Sequence, residues 1–470
     1  MRNNRSRLAL AGGLLSLALV ATACSGGFGG NAGNVGGGGG GDSGGGSTND
    51  GGGTSGVTID VIAVNLPAQE DLVAMTAEHF TPATGITVNF TLLPENDVRA
   101  KITQEFSSQA GVYDVATLSN YEIPFYADNG WVVPIDDYLA QDSDFEPEDM
   151  LPSMMASMTG SDGKTYGMPF EGQSSFTMYR KSVFDELGLT MPSNPTWDEV
   201  AELAATIDEQ TDMDGICLRG LPGWGQQLAP LNTVINTFGG TWFDENWDAQ
   251  LTSPETVEAV EFYVNLIQEH GEPGAAQAGF VECLNRFMQG DAAIWVDATN
   301  AGGPVEAADS PIAGDIGYAQ SPVKLTDASG WLWTWAWGIQ AASTEQDAAW
   351  QFVSWASSRE YEELIAEKYD WSRVPYGKRQ STFDNPAFQE GAPFYEAAME
   401  AITSVDAENP GVQPRPYPGV QFVGIPEFIS LGTTVSEYIA SAIAGSTSVQ
   451  EALEAAQVAA QEVGDKYKNK

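Results

Sequence analysis

Two hydrophobic periods alternate along the chain from Val57 onward. Val57 to Val64 (VTIDVIAV) is almost continuously apolar, as a strand covered on both faces would be, and Ile86 to Leu93 (ITVNFTLL) alternates Ile86, Val88, Phe90 and Leu92. The stretch between them has a helical pattern. After Pro94 a second helix carries Val98, Ile102 and Phe106 on one face, and Tyr113 to Leu118 (YDVATL) reads as a third short strand. This β-α-β-α-β order predicts a parallel sheet with helices packed on it. Further on, Thr196 and Glu199 form the ends of a capping box, followed by the apolar stripe Trp197, Val200, Leu203 and Ile207. Ser253-Pro254 opens another helix with Val257, Val260, Val264 and Ile267 inward, and Ser448 to Glu451 caps a late one. Strands and helices alternate throughout, so the expected class is α/β.

The first residues break this pattern. Arg2, Arg5 and Arg7 precede an apolar run from Leu8 to Val20, and Ala21, Thr22 and Ala23 lead into Cys24. That is the layout of a signal peptide over residues 1–23, too short to span a bilayer comfortably. The small residues before Cys24 resemble the bacterial lipobox, in which cleavage before the cysteine is followed by diacylation of its sulfur, although Ala21 stands where such boxes usually carry leucine. Lipidated Cys24 would anchor the protein to the outer face of the cell membrane; the alternative is an ordinary cleaved signal followed by a free cysteine. From Ser25 to Gly56 the chain is mostly glycine, serine, asparagine and aspartate, with almost nothing to bury, and is expected to be a disordered tether. The remainder is expected to be soluble.

Composition narrows the partners. Sixty-four acidic residues against 20 basic ones give a formal charge of −44, which disfavours nucleic acid and anionic lipid and also serves simply as a solubilising surface. Apart from Cys24 only Cys217 and Cys283 remain, a pair that either oxidises to a disulfide outside the cytoplasm or stays as two reduced buried cysteines. The two histidines, His79 and His270, form no cluster at ligand spacing, so neither a metal nor another cofactor is expected.

The run from Glu70 to Leu118 resembles the opening of the family 1 extracellular solute-binding proteins, the group that includes maltose-binding proteins. Seven later words, in order, are similar to the sorbitol and mannitol binders of that family: TYGMPFEGQSS from Thr165, PTWDEVAELA from Pro195, GICLRGLPGWG from Gly215, NTFGGTWFDENWDAQLTSPE from Asn236, AAIWVDAT from Ala292, WLWTWAWGI from Trp331 and GVQFVGIPEFISLGT from Gly419. The resemblance implies a periplasmic-binding-protein-like fold of two α/β lobes around a ligand cleft, closing about hinges when ligand touches both lobes. Crossings are expected near Tyr166 to Phe170, Asp297 to Gly303 and Gln340 to Ser343. The N-terminal lobe would be residues 57–165 and 303–340, and the C-terminal lobe residues 171–302 and 341–470. The implied role is a non-enzymatic, monomeric subunit of an ABC importer that binds a small polyol or sugar and delivers it to the permease subunits.

A polyol offers hydroxyl groups and weakly polar C–H faces, so its site needs donors, acceptors and flat aromatic surfaces. Trp331, Trp333, Trp335 and Trp337 recur at period two, which on a strand puts them on one face. Relatives present an aromatic where Trp335 falls, so Trp333 and Trp335 are expected at the ligand and Trp337 in the core; Trp224 is either a cleft aromatic or a loop anchor. Strand ends and hinges supply the polar candidates Asn65, Tyr121, Glu122, Glu171, Gln173, Arg219 and Asp297. Relatives tend to carry an aromatic and an acid where this chain has Glu171 and Gln173. Arg219 and Asp297 are charges embedded in apolar runs and need partners, either the ligand or each other. The rival readings are a secreted glycoside hydrolase, which requires two carboxyl groups at fixed separation in one cleft, and a receptor for a disaccharide.

Overall fold

The computed structural model describes residue 54 and residues 56–468; the expected signal peptide, Cys24 and nearly all of the expected tether lie outside them. Among the described residues, nine strands form two sheets. The first contains β1 (Thr58–Val64), β2 (Thr87–Leu93), β3 (Val115–Ser119) and β4 (Met168–Gln173). The second contains β5 (Ser175–Arg180), β6 (Asp214–Cys217), β7 (Ala292–Ala298) and β8 (Ile316–Gln320), and β9 (Trp333–Ile339) returns to the first. The strand orders are β2-β1-β3-β9-β4 and β6-β7-β5-β8. The three strands read from the sequence are β1 to β3, paired in parallel, with Val61 flanked by Phe90 and Val115.

The helix between β2 and β3, Glu95–Ser108, buries Val98, Ile102 and Phe106, as its stripe predicts, and also Arg99 and Glu105. The capping box at Thr196 is formed in both directions, with the Glu199 N–H donating to Thr196 Oγ1 and the Thr196 N–H donating to Glu199 Oε2. Ser253 and Ser448 cap the helices Pro254–His270 and Val449–Tyr467.

The chain passes from the first sheet to the second between Gln173 and Ser175, a few residues beyond the expected Tyr166–Phe170 crossing. It also does not change sheet at Asp297 to Gly303. β8, expected within the N-terminal lobe, pairs antiparallel with β5 in the second sheet, so the return crossing falls between β8 and β9. Nor does it leave the first lobe at Gln340 to Ser343. The helices Gln346–Ala356 and Arg359–Lys368 place Phe352, Val353 and Tyr361 in one core with Val61, Leu72, Met75, Phe80 and Trp337. The late helices Phe428–Ile443 and Val449–Tyr467 then pack with Pro254–His270 beside the second sheet.

Two glycines permit the close approach of β4 to the returning chain. The Gly172 N–H donates to the Tyr376 carbonyl at 3.0 Å, and a Cβ on either Gly172 or Gly377 would lie within 2.2 Å of the other's carbonyl oxygen. Gly377 also has a φ of +83°, which other residues rarely adopt. This contact fixes the segment that follows the helix Arg359–Lys368 against the strand carrying Glu171 and Gln173.

Candidate functional site

The two sheets meet where β4 ends and β9 begins. β4 and β9 set Gln173 opposite Trp333 and Glu171 opposite Trp335, with a bulge between Pro169 and Glu171. Above them lies a partly enclosed cavity whose aromatic walls are Trp224, Trp331, Trp333, Trp335 and Phe280. Its polar lining is Glu95, Gln173, Arg219, Asn300 and Gln421. Trp333 and Trp335 meet edge to face, with ring centroids 5.4 Å apart. Trp337 lies away from the cavity, buried against Phe170 and Phe352.

Arg219 is held at this cavity by Asp297. Its Nε donates to Asp297 Oδ2 at 2.8 Å, an Nη–H donates to Asp297 Oδ1, and the other Nη donates to the Gly225 carbonyl at 3.1 Å. Asp297 also accepts from Trp295 Nε1 at 3.1 Å and from the Ala298 N–H at 2.6 Å. A guanidinium has five N–H groups, so after these contacts it still has donors to offer the cavity that it lines. Asp297, with no exposed surface, orients Arg219 and does not itself line the cavity. The disulfide between Cys217 and Cys283 ties the end of β6 to the helix Phe280–Gln289, holding Phe280 beside the Arg219 guanidinium, 5.2 Å from its ring centroid.

Several predicted site residues lie elsewhere. Asn65 is exposed at the end of β1, while the next residue, Leu66, turns inward to the cavity, as alternation along an extended chain requires. Tyr121 donates its hydroxyl to the Ile425 carbonyl at 2.9 Å, and its ring packs between Trp224 and Phe422, buttressing the cavity from behind. Glu122 is committed to Ser119 and to Arg99. Glu171 borders a neighbouring cavity instead.

Arg99 also stands at this wall, a residue that its local sequence does not single out. Its guanidinium carbon sits 4.3 Å from the Trp224 ring centroid, 4.8 Å from Trp335 and 5.1 Å from Trp333. Glu95 and Glu122 neutralise it on its remaining sides. This buried cation holds three tryptophans in one wall by cation–π attraction. The only local hint is its place next to Val98 on an apolar helix face.

The same helix bridges the cleft. Glu95 Oε2 accepts from Gln226 Nε2 at 2.8 Å, and Asn96 Nδ2 donates to the Pro222 carbonyl at 3.0 Å, so this structure holds the lobes in contact.

The family model described as bacterial extracellular solute-binding protein matches residues 63–363. A mannitol-binding protein of Pseudomonas aeruginosa is 38% identical over 375 residues, covering 79% of this chain and 85% of that protein. A solute-binding protein from Agrobacterium vitis, solved with bound D-mannitol, superposes with a TM-score of 0.84 at 39% identity, covering 87% of this chain and 99% of the other. A solute-binding protein from Agrobacterium radiobacter, solved with ribitol, shares the fold at a TM-score of 0.77 and 23% identity, covering 87% of this chain and 99% of that chain.

Proposed function

The chain belongs to the bacterial extracellular solute-binding protein family, and from that premise we propose that it captures a small linear polyol in the cleft and delivers it to the permease of an ABC importer. The observation that carries this reading is the cavity itself. The indoles supply flat faces for C–H groups, and Arg219, Gln173, Asn300 and Gln421 offer hydrogen bonds to hydroxyls. The buried Gln421 Oε1 and Gln173 Nε2 have no hydrogen-bond partner within the chain, an arrangement that costs free energy until a ligand satisfies it. The relatives named for mannitol support an alditol in preference to a disaccharide.

The protein is not a glycosidase on this reading. The Glu95 carboxylate at the cavity is engaged by Arg99 and Gln226, and Asp297 is consumed by Arg219, so Glu171 in the neighbouring cavity has no free second carboxylate of the pair that glycoside hydrolysis requires. Incubation with oligosaccharides should release no reducing ends, while D-mannitol or D-sorbitol should raise the unfolding temperature. Hydrolysis without polyol stabilisation would reverse the assignment.

The proposal includes a lipid anchor at Cys24, resting on the sequence that precedes it. The mature protein should sediment with membranes, and the Cys24→Ser variant should appear in the soluble fraction. A variant that remained in the pellet would show that something other than the sulfur holds it there.

A further inference from the structure

The cavity at the tryptophans adjoins a second compartment. Leu66, Phe280 and Asn300 border both, and the second is completed by Glu171, Tyr376 and the ion pair of Asp71 with Arg373. Glu171 is 3% exposed and its Oε2 has no hydrogen-bond partner; Asn300 Oδ1 beside it has none either. Asn300 Oδ1 accepts, and Glu171 Oε2 accepts once its carboxyl is ionised, so hydroxyl donors satisfy both. Along β4 these acceptors continue a track. Gln173 lies opposite Trp333 and Glu171 opposite Trp335, a two-residue step of about 6.7 Å along a strand. That step is comparable to the reach of an extended six-carbon chain.

We propose that one end of the bound alditol runs past Gln173 into this second compartment, where its last two hydroxyl groups donate to Glu171 Oε2 and Asn300 Oδ1 and displace the proton of Glu171. This assignment rests on the polyol reading above and adds a terminal subsite to it. Burial pushes the Glu171 carboxyl up to about 7, against the pull of Asn300, Lys378 and Gln173. The charged groups facing it come from the returning segment and the helix Pro67–Met75. Lys378 is paired with Glu362, Arg379 with Asp149, and Arg373 with Asp71; β9 contributes only Trp335 and no charge. No ion pair among the described residues neutralises Glu171 directly, which leaves its Oε2 open to ligand hydroxyls.

The sign follows from linkage. Hydroxyl donors favour the carboxylate, so the bound form holds its proton less tightly than the free form. Binding below the free-state value then expels one proton from Glu171 to the buffer, and affinity falls as pH drops, by roughly tenfold per pH unit at most.

Calorimetric titration of the full chain with D-mannitol at pH 6, in two buffers of different ionisation enthalpy, counts that proton. Wild type should release close to one proton per ligand. Glu171→Gln should release none and should lose the pH dependence between pH 5.5 and pH 8, all three figures being roughly placed around the shifted carboxyl. Mannitol binding without proton release in wild type would overturn the subsite, as would unchanged release in Glu171→Gln. If neither mannitol nor sorbitol gives heat or stabilises wild type, the polyol reading itself falls and the subsite with it.

Discussion

Asp297→Ala is expected to lower the unfolding free energy of the unliganded protein by about 3–5 kcal/mol, the range for stripping one partner from a buried ion pair. Arg219 is 5% exposed, and two of its three hydrogen bonds end on Asp297. Without the carboxylate, a full positive charge remains in an apolar surrounding with only the Gly225 carbonyl to receive it. The Trp295 indole N–H and the Ala298 N–H lose their acceptor at the same time. Ligand affinity should fall too, because Arg219 is no longer held in one orientation at the cavity. Asp297→Asn keeps the shape and part of the hydrogen bonding, so it should lie between the two in denaturant unfolding. Replacing both members with apolar residues of similar volume should recover most of the stability while leaving binding lost. If Asp297→Ala unfolded within about 1 kcal/mol of wild type, the pair would not be the buried electrostatic unit described here.

Trp335→Ala should weaken polyol binding by about 2–4 kcal/mol, the range for an aromatic hot spot. The indole lines the cavity, lies opposite Glu171 on β4, meets Trp333 edge to face and is one of three rings around Arg99. Truncation removes the flat surface against the ligand's C–H groups and loosens the cation that orders Trp224 and Trp333. Trp335→Phe retains a ring, so its loss should be smaller. Calorimetry on the folded variants separates this effect from destabilisation. Wild-type affinity in Trp335→Ala would assign the indole to packing alone.

The parts of this account that were legible in the sequence are those with local causes. The strands β1 to β3 show in their hydrophobic period, and the cap at Thr196 shows in its own four residues. Arg219 and Asp297 stood out because a charge inside an apolar run must find a partner, and they find each other. What escaped depends on pairing between distant segments. Nothing in Ile316–Gln320 tells which sheet it joins, since that is decided by its neighbour β5. The amphipathic helices Gln346–Ala356 and Arg359–Lys368 announce a buried face but not which sheet it covers. Arg99 reads as an ordinary helix charge paired with Glu95 one turn earlier, until Trp224, Trp333 and Trp335 arrive from far along the chain to enclose it. Tyr121 and Glu122 do follow a strand end, yet one supports the aromatic wall and the other neutralises Arg99. Position near a cleft is thus written in topology, whereas contact with a ligand is decided by which atoms remain unpaired.

The measurement closest to the central claim is a calorimetric titration of the purified protein against alditols and disaccharides in parallel. The cavity is walled by indoles and bridged by Glu95 with Gln226, and the relatives named for mannitol favour an open-chain ligand over a disaccharide. D-Mannitol or D-sorbitol should saturate a single site, and maltose should give no binding heat. Saturable binding of maltose with no response to either alditol would contradict the account.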